Sequence, residues 1–268
     1  MLSLLFHDVY AADPAESGFD GEIAARYKLP LHEFNEQVVR LAEVLEAAPV
    51  LAGQEHADFG VPVAITVDDG GLSYHSQVAD LLEEQGWRGH CFMPTAWIGR
   101  PGFLERQHLR DLHQRGHVFG SHSVSHPMRF AACSYAEMVR EWRDSRAELE
   151  DILGARVRTA SLPGGYYSKQ VAESAAEAGI TTLFTSEPET RARNVHGCTV
   201  LGRYTIRRGD GPSYPARLVA RASVARQAAW CKWNAKKVLK AALGAGYPRL
   251  TARLARLERG ANSFKNGI

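Results

Sequence analysis

No apolar run in the 268 residues approaches the roughly 18–20 residues of a membrane-spanning helix, so no such helix is expected among them. Cysteine is scarce. Cys91, Cys133, Cys198 and Cys231 lie far apart with no CxxC pair, so neither a disulfide framework nor a zinc knuckle is expected, and a reducing cytosol suits them. The nucleotide fingerprints GxGxxG and GxxxxGK[ST] are both missing. The opening MLSLLFHDVY has no basic leader, and Asp8 and Asp13 follow at once, which predicts no secretory signal. Excess charge is also missing: net charge is +2 with 45% hydrophobic residues, a composition that excludes disorder as the main state.

The small net charge hides an asymmetry. Residues 1–202 carry 17 basic and 28 acidic groups, net −11, whereas residues 203–268 carry 15 basic and 2 acidic groups, net +13. An acidic body with a basic tail points to an anionic partner surface, or to a tail folded back on the body.

Short β-rich runs alternate with helical patterns. The strand candidates are 2–10, 63–69, 90–94, 117–122, 159–163, 181–186 and 199–206. Apolar residues at three- and four-residue spacing predict helices over 31–48, 75–86, 104–115, 134–153 and 168–179. Gly86, Gly116, Gly154 and Gly179 stand where left-handed C-caps belong, and Ser134 with Glu137 forms a capping box. Repeated strand–helix units imply parallel pairing with helices outside. The expected fold is α/β: a distorted (β/α) barrel of about seven strands over 1–210, followed by a basic helical tail over 211–268. In such a barrel the site gathers at the C-terminal strand ends. Within the tail, 207–215 reads as a turn-rich linker, followed by an Arg/Lys/Ala helix with Trp230 and Trp233 and a second basic helix over 248–260.

Two motifs fall at those strand ends. VAITVDDGG closes on Asp68 and Asp69, and Gly70–Gly71 permits a turn that lets both carboxylates reach one cavity. Paired acids before glycine are also ordinary turn residues. A glycosidase pair is conceivable, although its carboxyls normally come from separate elements roughly 5–9.5 Å apart. HVFGSH runs into SVSHP, placing His122 and His126 four residues apart. Two histidines and one carboxylate commonly hold a divalent metal with positions left open for water and substrate.

Together, Thr66-Val67-Asp68-Asp69-Gly70 and His122-Ser123-Val124-Ser125-His126-Pro127 resemble the TFDDG and H[ST]xxHP motifs of the polysaccharide deacetylase family, the NodB-homology carbohydrate esterases. The resemblance covers roughly residues 1–210. It implies that Asp69, His122 and His126 bind the metal, zinc by default or another first-row divalent ion, and that Asp68 is the general base toward metal-activated water. The family's third motif corresponds to SLPGGYY (161–167), which makes the Tyr166 N–H the oxyanion donor. Two departures stand out. Ser161 replaces the Arg that usually opens that motif, and the later histidine that protonates the leaving amine has no match after residue 196. In the family's poly-N-acetylglucosamine branch that histidine comes from an N-terminal strand, which LLFHDV resembles, so His7 is the candidate general acid; a buried strand histidine is the other reading. Arg203 could stand in electrostatically for the missing Arg. His75, His90, His108, His113, His117 and His196 read as surface or structural.

The resemblance thus implies a metal-dependent hydrolase of the N-acetyl group of an amino sugar, in a polysaccharide or a lipid-linked saccharide, in surface or exopolysaccharide assembly. The alternatives are an inactive carbohydrate-binding member, suggested by the absent Arg, and a hydrolase of non-sugar amides. The expected location is cytoplasmic or peripheral at the inner membrane face. Lys232, Lys236, Lys237 and Lys240 with Trp230 and Trp233 suit an anionic membrane, while no nucleic-acid reader module accompanies the charge. Oligomeric state is not legible.

Overall fold

A computed structural model describes residues 1–53 and 61–243, the last five as backbone only. Eleven strands are present among them: β1 Leu2–Phe6, β2 Val9–Tyr10, β3 Leu29–Pro30, β4 Val63–Val67, β5 His90–Met93, β6 Val118–Ser121, β7 Thr159–Ser161, β8 Thr182–Phe184, β9 Arg193–Val195, β10 Cys198–Leu201 and β11 Tyr204–Thr205. Nine of them form one sheet in the order β11-β1-β4-β5-β6-β7-β8-β10-β9, parallel throughout except for the β9–β10 pair. The sheet is curled into a half-barrel, the distorted barrel expected from the alternation. Each of the seven expected runs contains at least one strand. Two of them split: 2–10 breaks after Phe6 into β1 and β2, and 199–206 breaks at Gly202–Arg203 into β10 and β11.

That second break matters topologically. β10 lies near one edge of the sheet and β11 is the opposite edge, so Gly202–Arg203 carries the chain across the open seam. The crossing is tight. A Cβ on Gly202 would fall 2.3 Å from the Glu187 carbonyl oxygen, closer than any side chain tolerates.

Central strands are buried on both faces, as helix-covered parallel strands must be; every residue of β1 and β4 is buried. Helices α1 (Glu22–Ala25), α2 (Leu31–Ala42), α3 (Ala79–Glu84), α4 (Arg106–Gln114), α5 (Tyr135–Leu153) and α6 (Lys169–Glu177) accompany the sheet. α5 starts at the Ser134–Glu137 capping box and stops at Gly154, whose φ of 63° is left-handed. Its Trp142 packs on Phe130 in a core shared with α6, β7, β8 and β10. α2 ends six residues before the expected boundary at 48: Phe34, Val38 and Leu41 are buried, but Leu45 is only half so, and Pro49 disfavours helix just ahead of it. The body runs to Arg226 and includes α7 (Tyr214–Val219), whose buried Leu218 helps seat it on α2. Helix α8 (Val224–Leu243) leads into a second unit from Gln227, and the expected helix over 248–260 lies outside the described residues. Among the described residues no helix is long and apolar enough to cross a membrane.

Candidate metal and catalytic site

Parallel register brings the motifs to one level. β1 pairs with β4 so that Phe6 lies opposite Val67, which sets His7 and Asp68 side by side just beyond the strands. β5 and β6 pair Met93 with Ser121, and β6 and β7 pair Ser121 with Ala160, which delivers His122 and Ser161 to the same rim. Here the chain leaves regular geometry. Asp69, Ser123 and His126 adopt left-handed φ values of 76°, 65° and 56°, which cost energy in a non-glycine residue and persist only where surroundings hold them. The Ser121 hydroxyl, accepting from the Ser123 N–H, and the Ser123 hydroxyl, accepting from the His126 N–H, supply part of that hold.

The result is a convergence of three ligand-type atoms. Asp69 Oδ1 lies 3.4 Å from His122 Nε2 and 3.4 Å from His126 Nε2, and one such atom from each residue lies within 4.8 Å of the others. Bonds of about 2.0–2.2 Å to one ion would separate neighbouring ligands by roughly 3–3.5 Å. The protonation pattern makes the same point. His122 Nδ1 is 2.8 Å from the Ser161 carbonyl oxygen, which can only accept, so Nδ1 carries the hydrogen and Nε2 presents a lone pair in the neutral ring. A lone pair aimed at a carboxylate oxygen calls for a cation between them, a proton or a metal ion. Burial alone would raise the Asp69 carboxyl, but the His122 hydrogen bond and the surrounding imidazoles hold it well below the usual carboxylate range. Burial, with neighbouring His122, pushes the His126 imidazole down to about 4, leaving it neutral and free to ligate.

Asp68 faces the other way. Arg203 spans it, Nη1 to Oδ1 at 2.7 Å and Nη2 to Oδ2 at 2.8 Å, with both side chains buried. Ser161 Oγ donates to Asp68 Oδ2 at 2.9 Å and accepts from Arg203 Nη2 at 2.6 Å. The other guanidinium contacts go to the Thr66 hydroxyl and the Thr185 carbonyl. Burial would raise Asp68, but the Arg203 charge beside it, followed by His122, holds it below the ordinary carboxylate value. The serine at the place of the expected Arg therefore occupies the space into which an arginine from across the seam reaches.

His7 lies in the field of both aspartates, of Arg203 and of His122. Its ring packs on Tyr27 at 4.9 Å, and its buried Nδ1 has no hydrogen-bond partner among the described residues. Burial lowers its pKa, with Asp69 and Asp68 pulling the other way. Tyr166 closes the turn Pro163–Gly165 and is 42% exposed, its ring under the Arg129 guanidinium. That turn needs glycine: Gly164 has φ 67°, and a Cβ there would meet the Met128 carbonyl oxygen at 2.4 Å.

Two residues around the cluster could not be placed there from the sequence. Phe19 rests on the His126 ring at 4.8 Å and on Trp97 at 4.6 Å, and no periodicity announces it. Asp8 is buried, accepting from Ser17 Oγ at 2.6 Å and Ser73 Oγ at 2.8 Å, and burial pushes it up to about 6. It ties the end of β1 to the loop after the aspartate motif, since a Cβ on Gly71 would strike it. Five of the histidines expected to be surface or structural lie away from the cluster: His90 and His117 are buried and hydrogen-bonded, His75 stacks on His108 beside Asp111, and the side chain of His196 is exposed.

Residues 60–183 match the polysaccharide deacetylase family model. YxkH of Bacillus subtilis, named after the same family, is 24% identical over 147 residues, covering 55% of this chain and 52% of that protein. A gellan lyase from a Bacillus species is 28% identical over 128 residues, 44% of this chain and 5% of its own length. The chain thus spans about half, or far less, of the curated relatives it matches. Among solved structures, the Streptococcus pyogenes deacetylase PplD superposes with a TM-score of 0.68 at 18% identity, over 82% of this chain and 98% of PplD. IcaB from Ammonifex degensii gives 0.65 at 20% identity, over 82% and 97%. These likenesses concern the fold.

Proposed function

We propose that this chain, which carries a polysaccharide deacetylase domain over residues 60–183, hydrolyses the N-acetyl group of an amino sugar with the help of a divalent metal, zinc by default. The observation that carries the reading is the convergence of Asp69 Oδ1 with the Nε2 atoms of His122 and His126, each 3.4 Å away. A divalent ion held by those three would polarise the amide oxygen and acidify water. The rest is work for the chain's own groups. Asp68 stays ionised beside Arg203 and takes the proton from the attacking water, while the bidentate guanidinium fixes the carboxylate's orientation. The backbone N–H of Tyr166 is assigned to the developing oxyanion. His7 is assigned to protonate the leaving amine; burial lowers its pKa and so favours the neutral ring, and the neighbouring Asp69 and Asp68 charges are what draw a proton onto it before it is passed on. An N-acetylated saccharide, polymeric or lipid-linked, is the substrate. The buried Arg203–Asp68 pair supports an active enzyme over an inactive sugar-binding member, because it restores the counter-charge that Ser161 lacks.

The test is acetate release from chitooligosaccharides and from a lipid-linked N-acetylhexosamine, with metal analysis alongside. Asp68→Asn should reduce turnover by at least a thousandfold with the metal still bound, whereas His122→Ala should lose both. Undiminished turnover by metal-stripped His122→Ala would overturn the reading.

A further inference from the structure

Helix α8 presents an unusual face. Ala225, Ala229 and Trp233, spaced by four, are half-buried, while the opposite side is exposed and mostly apolar. That exposed side runs Val224, Ala228, Cys231, Ala235, Val238, a 4-3-4-3 spacing that keeps one face of a helix, with Trp230 about a third of a turn away beyond Gln227 and Asn234. The large residues on it are well out in solvent: Val224 is 75%, Trp230 54% and Val238 70% exposed. Lys232 borders the stripe on one flank, while Lys236 and Lys237 lie further round on the two sides of the half-buried face, Lys237 over the Trp233 ring. No Asp or Glu occurs anywhere in Val224–Leu243, and residues 211–268 hold twelve Lys and Arg against one Glu.

Three occupants could cover such a face, and charge and chemistry separate them. A second copy would bring an equally basic helix against this one, and like charges at a flank repel. A nucleic acid would want the lysines central, whereas here apolar side chains are central and the lysines marginal. An anionic bilayer satisfies both features: Val and Trp side chains enter the headgroup–acyl boundary, and flanking lysines snorkel to phosphates. We propose that the exposed face of α8 docks the protein on an anionic lipid surface, with Val224 and Val238 inserted and Trp230, Lys232, Lys236 and Lys237 at the level of the headgroups. The proposal is independent of the chemistry at the aspartate–histidine site.

Vesicle flotation with the full chain tests it. The protein should float with phosphatidylcholine vesicles containing phosphatidylglycerol, stay behind with pure phosphatidylcholine, and be released by added salt. Lys232→Gln/Lys236→Gln/Lys237→Gln should lower partitioning on the order of a hundredfold, at roughly a fivefold loss for each charge removed. Trp230→Asp/Val238→Asp should abolish it with all lysines in place, and far-UV circular dichroism should match the parent in both variants. An environment-sensitive dye on the exposed Cys231 should shift to the blue on the anionic vesicles alone. Equal binding to both vesicle types, full binding by the aspartate variant, displacement by duplex DNA of matched charge, or a dimer that the aspartate variant dissolves would each overturn the proposal.

Discussion

Asp68 and Asp69 are chain neighbours, yet they serve two differently built halves of the site. Around Asp69 everything is local: two short loops, each leaving a strand end, bring three ligand-type atoms together through residues held in left-handed backbone. Around Asp68 everything is distant. Its partner Arg203 is 135 residues away and Ser161 is 93 away, both buried and both placed by sheet register rather than by a motif. Identical side chains with such different surroundings suit the divided labour proposed for them, one gathering a cation and the other remaining a fixed, ionised base. They should also fail differently when damaged.

The largest break comes at the distant half. Arg203→Ala leaves a buried carboxylate unpaired and should cost about 3–5 kcal/mol in urea unfolding. Adding Asp68→Asn should recover much of that stability without restoring activity; additive losses in the double mutant would show that the two side chains are not coupled. A smaller effect sharpens the contrast. His7→Gln should slow acetate release by about 10²–10⁴-fold while metal content stays at the parent level, because His7 lies outside the three-atom cluster. Loss of metal in that variant would merge the two halves into one. The smallest effect concerns Asp8, which braces the loops between them. Its carboxyl, raised by burial from 3.8 to about 6, binds its proton more tightly folded than unfolded. Its contribution is therefore full below pH 4 and lost as pH rises toward 6. Asp8→Asn, still able to accept from Ser17 and Ser73, should flatten the pH dependence of Tm over that window and gain up to about 3 kcal/mol at pH 8. An unchanged pH profile would show that Asp8 is not the buried acid responsible.

The same divide governed what could be read from the chain. Asp68, Asp69, His122 and His126 were legible because each pair is close in sequence and sits at the end of a recognisable β-run. Arg203 could be named only as an electrostatic stand-in for the missing Arg, without its contacts, since its pairing depends on β10 and β11 lying at opposite edges of a curled sheet. Asp8 hides beside His7 in what reads as a polar strand end, and its burial follows from Ser17 and Ser73, which no spacing links to it. β9 has three residues and the β2–β3 pair two residues each, too short to show alternation. Helix α8 reads in the sequence as a basic helix whose lysines and tryptophans suit an anionic membrane. Its exposed apolar face needed the burial of Ala225, Ala229 and Trp233 to be seen.

The seam crossing at Gly202–Arg203 has a consequence for the order in which the protein comes to life. A chain emerging from the ribosome and stopped short of residue 203 already owns both signature motifs and most of its sheet. Its central carboxylate nevertheless lacks a counter-ion until the last edge strand arrives, so competence is a late event in synthesis. Completion of the fold, rather than possession of the motifs, gives Asp68 its counter-ion.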